Sequence, residues 1–160
     1  MTIFKIIQSY LGRTEDVYDV QNEAQLREIL GRVMKLHEVQ LDIKTESEDR
    51  IIILVEKQYS FLEFTQASGD PPYLSPLRKV PENYDDEPEN QYQLALFDFP
   101  PERPVTKPKP PTSITFIVGC EPIQIGYERC LPVADMVKII VYYFLYRELS
   151  PEFEWRSAGA

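Results

Sequence analysis

Histidine is almost absent from this chain: one residue in 160, His37. Imidazole is the commonest general acid or base near neutral pH, so acid–base catalysis would have to rest on that residue or on carboxylates. His37 falls at the C-terminal end of a predicted helix, where it is expected to meet the helix dipole or solvent. Cysteine is nearly as scarce. Cys120 and Cys130 lie ten apart with no second pair, which excludes a zinc ribbon and a disulfide framework. Both are expected as buried free thiols, and a bond between them stays open if the turn at Gly126 makes a hairpin. With six glycines and none in a glycine-rich turn from strand to helix, the usual phosphate cradle is missing. Long apolar runs are missing too: Ile139–Tyr146 is short and bracketed by Lys138 and Arg147, too little to cross a bilayer. Met1–Tyr10 has no sustained apolar core and no small-residue cleavage site, so a cytoplasmic protein is expected.

Positive charge is also short. Seventeen Lys and Arg face 26 Asp and Glu, a net charge of −9. Nucleic-acid backbone would be repelled, whereas a basic protein partner is suited. What the chain does carry is apolar patterning. Ile3–Leu11 reads as a strand and Gly12–Asp19 as an acidic loop. Asn22 with Gln25 makes a capping box. Behind it Leu26, Ile29, Leu30, Val33 and Met34 share one helical face. Val39, Leu41 and Ile43 alternate with polar residues, a strand with one wet face. Ile51–Val55 is a continuous apolar run, suited to a central strand covered on both faces. In the next strand Phe61, Glu63 and Thr65 share one face and Leu62 and Phe64 the other. The stretch 77–111 changes character: it is acidic to Gln91, has a strand signal at Leu94, Leu96 and Phe97, and is proline-rich from Pro100.

After the insert, Ile114, Phe116 and Val118, then Ile123 and Ile125, read as a strand pair. Leu131-Pro132 starts an apolar helix, with proline expected at its first position, and Ser150-Pro151 stops it. The helix is apolar nearly all round and is expected to touch two layers. Trp155 is expected to pack the tail back, leaving 156–160 flexible. The order β-α-β-β-β-insert-β-β-β-α predicts an α+β fold: a twisted, mainly antiparallel sheet of about six strands with two main helices.

Chemistry-bearing constellations are few. Carboxylates in the insert have no apolar neighbours to raise a pKa and lack the ligand order of an EF-hand, so no catalytic residue, metal or cofactor is expected. Binding is better served. Glu82, Asp85, Asp86, Glu87 and Glu89 lie among Tyr84 and Tyr92, and acids steer a basic partner while tyrosines supply contact area. Glu15, Asp16 and Asp19 form a second acidic group, and Glu46, Glu48 and Asp49 a third.

The stretch "LPVADMVKIIVYYFLYRELSPEFEW", with a proline-started helix and a Pro151-to-Trp155 tail, resembles the C-terminal signature of the bacterial immunity proteins of immunity family one. "YSFLEFTQASGDPPYLS", with Gly69, Pro71, Pro72 and Tyr73, looks like the same family's strand and turn. Pro132 begins the helix. The family often carries a glycine near the end of that helix, and Arg147-Glu148-Leu149 has none. The resemblance covers most of the chain and implies a single domain over 1–155 with an insert at 77–111. It also implies a non-enzymatic inhibitor of a cognate polymorphic toxin, such as a nucleic-acid deaminase or nuclease, whose basic cleft the acidic residues would occlude. A homo-oligomer is left open. The rivals are a non-toxin interaction module reading through Pro101–Pro111 and an uncharacterised enzyme, which would need an enclosed polar pocket.

Overall fold

The computed structural model describes residues 3–36, 38–79 and 111–157. The predicted strand at Leu94–Phe97 and His37 lie outside them. The strands are β1 (Phe4–Tyr10), β2 (Arg13–Val20), β3 (Val39–Thr45), β4 (Arg50–Glu56), β5 (Tyr59–Thr65), β6 (Leu74–Pro76), β7 (Ser113–Val118), β8 (Glu121–Gly126), β9 (Leu131–Pro132) and β10 (Trp155–Ser157). The helices are α1 (Glu23–Val33) and α2 (Val133–Tyr146). The fold is α+β. One antiparallel sheet of eight strands runs in the order β10-β6-β5-β4-β3-β1-β2, with β9 also pairing β5. β7 and β8 form a separate antiparallel hairpin.

Both helices cover one face of the sheet. Phe4 and Ile6 of β1, Leu41 and Ile43 of β3, Ile51 and Ile53 of β4, and Leu62 of β5 point into that layer and are almost wholly buried. α1 presents Leu26, Ile29, Leu30 and Val33; α2 presents Met136, Ile139, Ile140, Tyr143 and Phe144. Each such side chain taken from water contributes roughly 1.5–3 kcal/mol. The capping box forms as expected: Asn22 Oδ1 accepts from the Gln25 amide at 2.9 Å, and Gln25 Oε1 accepts from the Gln21 amide at 2.8 Å.

On the opposite face the hairpin packs over β4 and β5. Phe116, 1% exposed, meets Leu54, Tyr59, Phe61 and Cys130. β4 is therefore covered on both sides, as its unbroken apolar run requires. The hairpin's turn reaches the β1–β2 turn, where a Cβ on Gly12 would stand 3.5 Å from the Gly119 Cα.

Several expectations change. Residues 13–20 are not a loop but the edge strand β2, held by pairing with β1 on both sides of a bulge at Glu15. Cys120 is exposed at the hairpin turn rather than buried, whereas Cys130 is buried; both thiols are free. α2 stops at Tyr146, and Pro132 stands just before its first turn. α2 packs on one layer, leaving Leu145 and Tyr146 exposed. Arg156 and Ser157 continue the tail as a strand, paired with Ser75 and Leu74 of β6.

Candidate functional site

Glu82, Tyr84, Asp85, Asp86, Glu87, Glu89 and Tyr92 lie outside the described residues. The sequence-motif positions build one flank of the sheet. Gly69 takes a left-handed φ of 74° in the turn between β5 and β6, and Tyr73 Oη donates to the Gly69 carbonyl at 3.1 Å. Pro71 and Pro72 are exposed in that turn, joined by a cis peptide bond. Pro132 pairs with Tyr59 of β5. Trp155 pairs with Pro76, and its indole donates to the Ser150 carbonyl at 2.9 Å, which folds the tail from Pro151 back onto the domain. These residues hold β5, β6, β9 and β10 together.

The acidic groups part company. Two members of the third are consumed internally. Asp49 Oδ2 accepts from the Tyr143 hydroxyl at 2.7 Å and from Ser47 Oγ at 3.2 Å, while Oδ1 accepts from the Ala67 amide at 3.0 Å. Burial first, and the Asp49 carboxylate second, push the Tyr143 phenol above its ordinary range. Glu46 pairs with Arg147 at 2.6 Å. Arg147 is the αL residue closing α2, at φ 56°. Its guanidinium lies over Phe4 and Phe144 and donates to the Phe144 carbonyl. The resembled family often carries a glycine near this helix end; here Arg147 takes the strained conformation and is held there by these contacts. Glu48 stays exposed at the tip of the turn.

The second group keeps its charge outward. Residues 13–17 and Asp19 are exposed on β2. Glu15 Oε2 accepts from Gln8 Nε2 at 3.1 Å at a bulge in the β1–β2 pairing, and Asp19 stands opposite Lys5 in register. None of Glu15, Asp16 and Asp19 forms an ion pair among the described residues.

A groove of about 470 Å³ opens between β8 and the hairpin-facing side of the sheet. Its floor is Ile52, Leu54 and Phe61, its wall Ile123 and Ile125, with Glu63 also lining it. At the hairpin base Arg78, 7% exposed, donates to the Cys130 carbonyl at 2.8 Å and lies 4.0 Å over the Tyr127 ring. Burial pushes the Cys130 thiol up to about 12, against the lowering effect of Arg78. Among the described residues no three of His, Cys, Asp and Glu stand close enough together to hold a metal ion, and no helix is long and apolar enough to cross a membrane. Sequence reasoning did not single out this groove. Its signal was available: Ile52, Leu54 and Phe61 put apolar groups on a face that Ile123 and Ile125 cover only in part.

Compared with protein-family models and with characterised proteins, the chain matches none.

Proposed function

We propose that this chain is an immunity protein of the family-one type. It binds a cognate polymorphic toxin that acts on nucleic acid, such as a deaminase or nuclease, and neutralises it by occluding the active site. The observation that carries the reading is the division among the carboxylates. Glu46 and Asp49 are spent on tying the chain together, whereas Glu15, Asp16 and Asp19 face outward and form no ion pair among the described residues. Unneutralised carboxylates on an ordered strand are what a nucleic-acid-binding cleft, built to receive phosphates, would attract. The docking of the Pro151–Trp155 tail and the ordered turn at Gly69–Tyr73 give the resembled motifs a common structural task and support the same reading.

The test is co-expression with the toxin-like domain encoded beside the gene. Restored growth and a stoichiometric complex on gel filtration are expected. Growth arrest that is equally deep with and without this protein would overturn the proposal, as would turnover of a substrate by the purified protein alone.

A further inference from the structure

We infer that β2 is a docking edge: a basic, extended segment of the partner adds to it as a further strand, antiparallel or parallel, with its cations against Glu15, Asp16 and Asp19. The inference rests on the partner-binding reading above and names the surface and the chemistry that reading leaves open.

β2 is eight residues long, with a bulge at Glu15 and a regular stretch over residues 16–20, and bonds to β1 on one side only; no strand lies beyond it among the described residues. Such an edge leaves every second pair of backbone N–H and C=O groups pointing outward, ready to pair with another chain. The opposite edge, β10, offers three residues. The free side of β8 is interrupted at Pro122, which has no N–H to give. β2 contains no proline, and Val17, 50% exposed, supplies apolar contact at its centre.

The charges decide which chain can add. Self-pairing of two β2 strands, antiparallel and centred on Asp16 or on Asp19, would set that carboxylate against its own copy. Like charges directly opposite each other destabilise a strand pair, so the edge rejects its own copy. Asp16 stands opposite Gln8 and Asp19 opposite Lys5, on the two faces of β2, so a strand with lysine or arginine at alternate positions meets the carboxylate on one face favourably and keeps the backbone hydrogen bonds. Main-chain pairing then supplies affinity, and the acids supply selection by charge.

A peptide of alternating lysine and valine serves as probe, its glutamate–valine counterpart as control, followed by amide resonances of the isotope-labelled protein. The basic peptide is expected to shift resonances of residues 13–20 and their β1 partners. Its binding should weaken about tenfold on raising salt from about 50 to 500 mM. The Asp16→Lys/Asp19→Lys variant changes only exposed side chains; its dispersed spectrum will confirm folding, and its binding of the basic peptide should fall about tenfold. Equal binding of the acidic peptide overturns the inference. So do shifts that map to the groove at Ile52, Phe61 and Ile123, or to α2, or no shifts with either peptide. In those cases toxin protection in co-expression still decides the proposed function separately.

Discussion

Asp49 joins three distant parts of the chain through one carboxylate: its own turn, the amide of Ala67 and the hydroxyl of Tyr143, 94 positions away. Tyr143 is 3% exposed, so deleting the carboxylate strands a buried hydroxyl. Asp49→Ala should cost about 2–3 kcal/mol in chemical denaturation, and Tyr143→Phe about 1 kcal/mol, because that change removes donor and acceptor demand together on the buried side. Equal losses would mean that the hydroxyl is not what Asp49 holds. Nothing near Asp49 in the sequence announces this duty. It sits in a run of acids, and a partner so far along the chain is visible only after folding. The cysteines separate in the same way: ten residues apart, they end at opposite ends of the hairpin, one wet and one dry. In the native protein Ellman's reagent should titrate one thiol, Cys120, and two after unfolding. The unfolded Cys130 thiol ionises near its ordinary value of 9.0, whereas the folded one holds its proton to about 12. Its contribution to stability is therefore complete below the ordinary value and is lost as pH rises toward 12. Cys130→Ala should flatten the fall in stability between about pH 9 and 12, leaving a residue from Tyr143, whose shift has the same sign.

At the scale of elements, the ends of α2 show how a helix can stop without glycine. Arg147 adopts the left-handed conformation, which disfavours any residue with a Cβ. The Glu46 pair and the stacking on Phe4 and Phe144 offset that strain. Arg147→Ala and Arg147→Gly both lose these contacts, but glycine alone is free of the strain. The glycine variant should therefore be more stable than the alanine variant by about 1 kcal/mol in urea unfolding. Indistinguishable variants would place the cap elsewhere. The elements themselves were legible where burial imposes a period. The two faces of β5, the apolar stripe of α1 and the hairpin all follow from spacing. β2 was not legible, and for a physical reason. An edge strand exposed on both faces over residues 13–17 needs no alternation there, so Arg13–Val20 carries the composition of a loop and becomes a strand only because β1 lies beside it.

For the whole molecule, charge and architecture have to be read together. A net charge of −9 alone describes solubility; its distribution separates internal ties from outward-facing groups. If those outward groups steer the toxin, the association rate should fall by about tenfold or more between low and physiological salt, with dissociation changing far less. Reversing Asp16 and Asp19 to lysine should remove most of that salt dependence in stopped-flow measurements. A rate insensitive to both salt and reversal would locate recognition away from β2. The candidate site was half visible beforehand. The acids were marked, but which of them stay free depends on long-range partners such as Arg147 and Tyr143.

The docked tail has a practical corollary. Trp155 is the chain's lone indole, and its N–H rests on the Ser150 carbonyl at the flank of the sheet furthest from β2. Its fluorescence is thus a built-in gauge of whether the C-terminal strand is seated. Emission that stays blue while a ligand loads at the far side reports an undisturbed scaffold; a red shift marks the instant that strand peels away.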